Sequence, residues 1–183
     1  MSSRTELSAP SLLAPLQSLP RLLLAAVPLS VLQPVLGHIA AHVARSRPEL
    51  FARLGPHTQK RYLIDPTDLP FVLVLVPDAS RPHLRAHRRH ENPRHHAGIA
   101  GTFFDLLEMI DGSLDGDALF FNRTLRVSGD IEAVVALRNA LDDFDGSVVD
   151  NILDALGPLA KPAALGLSAL RAMQRRNRDG GKQ

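Results

Sequence analysis

Residues 117–144, DALFFNRTLRVSGDIEAVVALRNALDDF, change hydrophobic period once, and that change constrains the fold more than any other feature of the chain. Leu125 and Val127 alternate with Thr124, Arg126 and Ser128, the period of two expected of a strand with one buried face. From Ile131 the period becomes helical: Ala133, Val134, Leu137, Leu141 and Phe144 share one broad face, and Glu132, Asn139, Asp142 and Asp143 lie away from it. Gly129 and Asp130 stand between the two patterns. Gly129 can adopt the backbone angles of a sharp exit from the strand. Asp130 can accept hydrogen bonds from the free N–H groups of the helix that it opens. A strand and a helix with one apolar face each are expected to fold together across this corner. Nothing in the unit has a reaction to perform.

The rest of the composition narrows the function. At 183 residues the chain suits one domain of roughly 100–150 residues with flanking elements. There is no Trp and a single Tyr, so the core must be aliphatic. The absence of Cys excludes disulfides, thiolate nucleophiles, iron–sulfur clusters and thiolate zinc sites. The net charge is +2, unevenly spread: Arg81–His96 and Arg171–Lys182 are basic, while Asp105–Asp154 is dominated by Asp and Glu. A basic tail beside aliphatic helices suits contact with an anionic membrane surface, and a solvated tail explains it as well. Nucleic acid is not an expected partner, since no aromatic RNA-binding strand, zinc-finger spacing or recognition-helix motif occurs.

Along the chain, residues 1–10 are polar, and Leu12–Val43 is strongly aliphatic and divided by Pro15, Pro20, Pro28 and Pro34. No charge falls between Leu22 and Val43, close to the length of about 20 apolar residues that spans a membrane. Gln33, His38, His42 and two internal prolines argue instead for short helices, one ending near Val27 and the next over Leu29–Arg45. A cleaved signal peptide, with Arg21 as its basic start, is the competing reading. A helical turn over Glu49–Leu54 precedes strands at Tyr62–Ile64, Phe71–Val76, His83–Arg89 and His96–Ala100, with a turn at Asp65–Asp68. The continuous apolar run Phe71–Val76 suits a strand covered on both faces. Thr102 caps a helix Phe103–Ile110 whose buried stripe is Phe103, Leu106, Leu107 and Ile110. Further aliphatic segments follow Gly146-Ser147, with a last helix near Pro162–Arg176 and a basic tail. The predicted class is α+β, about five mainly antiparallel strands covered by helices on one side, with extra apolar helices at both termini. The predicted division is an apolar helical segment at 1–45, a central domain at 46–145 and aliphatic helices with a basic tail at 146–183.

Two constellations invite a catalytic or metal reading. His83, His87, His90, His95 and His96 crowd one region, but strand spacing places His83, Arg85, His87 and Arg89 on one face, where guanidinium groups oppose a divalent cation. Asp105, Glu108, Asp111, Asp115 and Asp117 resemble a calcium loop in composition, without the alternating ligands and closing Glu. Solvated charge explains them better. No nucleophile elbow, HExxH or phosphate-binding loop is present, so no cofactor or metal is expected. What remains is aliphatic surface beyond the needs of one small sheet. Ordinary helix packing and an apolar ligand cavity account for it equally well.

Leu119, Phe120, Phe121, Arg123, Leu125, Val127, Gly129 and Asp130 form the pattern LFFxRxLxVxGD, followed by an amphipathic helix. This pattern resembles the sterol carrier protein type-two domain family, with weaker similarity from about Leu12 to Phe144. Within that family it is similar to the accessory factors of oxygen-independent ubiquinone biosynthesis. The resemblance favours the cavity. It implies a non-enzymatic, cytoplasmic and peripherally membrane-associated bacterial carrier, binding ubiquinone or its polyprenyl precursors, or another hydrophobic lipid such as phospholipid. Its implied partners are the oxygen-independent ubiquinone hydroxylases. The lipid-lining residues expected on this basis are Phe71, Leu73, Phe103, Leu107, Phe120, Phe121, Leu125, Val134 and Leu137. The alternative is a membrane-associated scaffold that assembles quinone-biosynthesis enzymes and fills its cavity with its own side chains.

Overall fold

A computed structural model of the chain describes residues 28–78, 80–110, 125–142 and 148–157, together with 161, 164, 165 and 168. Expectations for the first 27 residues, Asp111–Asp117, the Phe120–Phe121 pair, Phe144, the Gly146-Ser147 boundary, most of the final helix and the tail lie outside these residues. Helix α1 spans Leu29–Ser46, with Pro28 in extended conformation at its N-cap and Pro34 inside. Its end coincides with Arg47-Pro48, where proline at the first position opens the short α2, Pro48–Arg53. Strands β1 (Tyr62–Pro66), β2 (Phe71–Val76), β3 (His83–Arg88) and β4 (Ala97–Gly101) follow. Then come α3 (Phe103–Ile110), β5 (Arg126–Gly129), α4 (Ile131–Asp142) and α5 (Val148–Ala155).

The five strands form one sheet in the order β3-β2-β1-β4-β5. Three neighbouring pairs are antiparallel, and β1 with β4 is parallel. The expected α+β class with a mainly antiparallel sheet is therefore the fold of the chain. The register sorts side chains into two faces. Phe71, Leu73 and Leu75 lie with Ala86, Leu84, Tyr62, Ile64, Ala97, Ile99 and Val127 on one face, and the helices pack there. The other face carries Leu63, Asp65, Val72, Val74, His83, Arg85, His87 and Arg126. Leu84 and Ala86 thus oppose His83, Arg85 and His87, as strand spacing requires.

The strand–corner–helix unit folds as its period change dictates. Leu125 is buried, Arg126 and Ser128 are exposed, and Ala133, Val134, Leu137 and Ala140 face the core. Gly129 has φ +72°, and a Cβ added there would collide with the carbonyl of His96. Asp130 accepts from the Ala133 N–H at 3.0 Å, capping α4. Its second carboxylate oxygen holds Lys60 Nζ at 2.5 Å.

Three local expectations need correction. β1 runs on through Asp65 and Pro66 because it stays paired with β4 as far as Gly101. Arg89 leaves β3 for a short 3-10 turn, from which it pairs with Asp65 at 2.7 Å and donates to the carbonyls of Leu69 and Pro66. In α3 the buried side chains are Asp105, Leu106 and Met109 rather than the stripe through Phe103, Leu107 and Ile110. The reason lies at the cap. Thr102 Oγ1 accepts from the Asp105 N–H and donates to its carboxylate at 2.6 Å, which turns Asp105 inward instead of leaving it solvated. Asp68, from the β1–β2 turn, adds an acceptor for the Phe103 N–H at 2.7 Å.

Candidate functional site between the first helix and the outer strands

The apolar side chains form two clusters. The larger joins α2, α3 and α4 to the middle of the sheet through Leu50, Phe51, Leu54, Tyr62, Ile99, Leu106 and Val134. Tyr62 is wholly buried, and its hydroxyl donates to the His57 carbonyl at 3.2 Å. Burial, and secondarily the charge of Asp130, push the phenol up to about 12. The second cluster lies under α1. Leu69, Phe71 and Ala86 form its buried floor, while Leu29, Leu32, Leu36, Leu73 and Phe103 around them are only partly buried. An aliphatic helix has thus been laid over β2 and β3 without sealing the layer beneath it. Gln33 ties the helix down, its Nε2 donating to the Ala86 carbonyl at 2.7 Å. On the outer side of the helix, Val31 remains 59% exposed.

The expected lining residues divide between these clusters. Phe71, Leu73 and Phe103 come together beneath α1. Leu125, Val134 and Leu137 belong to the larger cluster, where Val134 has no exposed surface at all. Leu107 is half-buried on α3 and in neither cluster, and Phe120 and Phe121 lie outside the described residues. Leu32 and Leu36 are not distinguished in the sequence from the rest of an aliphatic helix, and Gln33 stands out only as a polar residue that argues against a membrane span. A lone amide within a long uncharged aliphatic stretch was the available signal for Gln33.

Two clefts open at the sheet's margins. One, about 450 Å³, runs between Ser30, Gln33, Pro34 and Gly37 of α1 and His83, Leu84 and Arg85 of β3. The other, about 630 Å³, is polar and lined by Gln59, Arg61, Asn92, Pro93, Arg94, His95 and His96. Three of the crowded histidines are engaged locally. His87 Nδ1 meets Glu91 at 2.9 Å, His96 Nδ1 accepts from the Arg61 N–H at 2.9 Å, and His95 Nδ1 donates to the Pro93 carbonyl. The hydrogen bond from His87, with a second from the Arg88 N–H, holds the Glu91 carboxyl below the usual range. Among the described residues no three His, Asp or Glu side chains converge as a metal-ligand set. No helix among them is long and apolar enough to cross a membrane.

The site is thus a five-stranded sheet with helices on one face and an aliphatic layer only partly buried beneath one of them. The chain belongs to the SCP-2 sterol transfer family, whose pattern matches residues 39–142, more than half of its length. No curated protein matches the chain. Among solved structures, the UbiJ-SCP2 ubiquinone synthesis protein superposes with a TM-score of 0.46 at 16% identity, over 62% of this chain and 88% of that one. A stereoselective inverting sec-alkylsulfatase from Pseudomonas sp. gives 0.43 at 18% identity, over 52% of this chain and 14% of the sulfatase. Sterol carrier protein 2 from Yarrowia lipolytica, in its apo form, gives 0.42 at 10% identity, over 62% and 88%. The family assignment rests on the match to the family pattern and not on these superpositions.

Proposed function

We propose that the chain is a non-enzymatic lipid carrier whose ligand is ubiquinone or a polyprenyl precursor, held between α1 and the outer strands of the sheet. The observation that carries this reading is the second apolar cluster, in which an aliphatic helix lies over a floor that it does not seal, in a chain of the SCP-2 sterol transfer family. The lining would be Leu32, Leu36, Phe71, Leu73 and Phe103, while Leu125, Val134 and Leu137 serve the larger core. The choice of a quinone rests on the resemblance carried by Leu125, Val127, Gly129 and Asp130 and the residues before them. Burying a long tail gains about 0.8 kcal/mol per methylene, similar to what the bilayer interior offers. Transfer then requires only that the two environments be nearly balanced. The carrier would work at an anionic membrane surface and present the ring to oxygen-independent hydroxylases.

Organic extraction of the purified protein, with mass spectrometry of the extract, tests this. Recovery of a polyprenyl phenol or quinone is the expected result. Recovery of phospholipid alone would keep the carrier and remove the quinone. A protein that carries no lipid and still supports quinone synthesis in cells would favour the scaffold.

A further inference from the structure

The cleft between α1 and β3 has one feature that the packing of the fold leaves unexplained. Gln33 spends its amide N–H on the Ala86 carbonyl, and its Oε1 is buried with no hydrogen-bond donor among the described residues. A buried acceptor left in that state is costly, and such groups ordinarily find a partner. Ser30, Gln33, Pro34 and Gly37 recur at helical spacing, so one face of α1 forms a wall of the cleft. Across from it runs the edge strand at His83, Leu84 and Arg85, of which Leu84 faces α1 while His83 and Arg85 belong to the other face of the sheet. Gly37 leaves room: a Cβ added there would meet nothing within 4 Å. Ala86, to which Gln33 is bonded, belongs to the floor of the apolar layer under α1, so the cleft borders that layer.

We infer that this cleft is the head-group subsite of the carrier, built for a lipid whose polar end carries a hydroxyl group. This rests on the lipid-carrier reading and adds to it the chemistry of the head group. The hydroxyl donates to Gln33 Oε1. An oxidised quinone, an ester or an ether offers acceptors only and leaves Gln33 unpaired. The site therefore selects hydroxylated, phenol-type lipids over their oxidised or alkylated counterparts.

The test compares dodecylphenol with its methyl ether, which keeps the tail and ring and loses the donor. Equilibrium binding should favour the phenol on the order of tenfold, the worth of one hydrogen bond together with the unpaired acceptor it prevents. Gln33→Met should abolish that preference, with the ether measured on the same variant as its reference. Gly37→Leu fills the cleft from a position with open space and should bring the phenol down to the ether's affinity without lowering the melting temperature. It keeps the test decisive if Gln33→Met fails to fold. Equal binding of the two probes by the unaltered protein, or a preference that survives in the variants, would overturn the subsite and leave the carrier standing. Binding of neither probe would overturn both.

Discussion

At the scale of single residues, Gly129 and Asp130 carry the turn on which the larger core depends. Gly129→Val would meet both a positive φ that a β-branched residue resists and the His96 carbonyl. The expected result is a large fall in melting temperature or failure to fold, and an unchanged melting temperature would contradict the geometry. Asp130 adds a pH dependence. The hydrogen bond from Lys60 chiefly, then that from the Ala133 N–H, holds its carboxyl below the ordinary value. A group depressed in the folded state stabilises above its unfolded value, about 3.9 for aspartate, and loses that contribution as pH falls through the folded value. Asp78 and Glu91 are depressed in the same direction, so the native profile in acid is a sum. Asp130→Asn keeps an acceptor for the cap and removes the charge facing Lys60. Acid unfolding of that variant should be less steep below about pH 4, and a profile parallel to the parent's would show the pair to be without effect.

At the scale of elements, the two apolar clusters make opposite predictions. Leu137 is 4% exposed on the inner face of α4, and Leu137→Ala should cost about 2–5 kcal/mol in thermal or urea unfolding while bound lipid is retained. Leu36, half-buried under α1, should cost about 1 kcal/mol as Ala, since part of its surface is never withdrawn from water, and should release lipid. Equal losses of stability with lipid kept in both would dissolve the distinction. These elements were legible from periodicity where one face alone is buried. The corner, α4 and the alternation in β3 follow from spacing, and α1 begins and ends at its prolines. Periodicity could not show contacts made across the chain. Asp68 capping α3 from 35 residues away, Asp105 drawn inward by Thr102, and Arg89 clamping the β1–β2 turn each depend on where the sheet brings distant segments. For the same reason the candidate site was only partly legible. Phe71, Leu73 and Phe103 stood out as apolar, but their separation from Leu125, Val134 and Leu137 is set by which helix covers which strand.

At the scale of the whole molecule, α2, α3 and α4 cover the middle of the sheet and complete a core, leaving α1 over its outer strands. In the proposed carrier, that division separates the core that keeps the chain folded from the helix that covers the ligand. Because the chain contains no Trp, a single introduced indole reports on one place only. The most direct measurement is the fluorescence of Leu36→Trp, beneath α1, titrated with a short-chain ubiquinone, alongside Ile131→Trp on the exposed side of α4. The account predicts saturable quenching of the indole at position 36 and none beyond collisional quenching at position 131. Equal responses at the two positions, or no saturable response at position 36, would contradict a lipid site between α1 and the sheet.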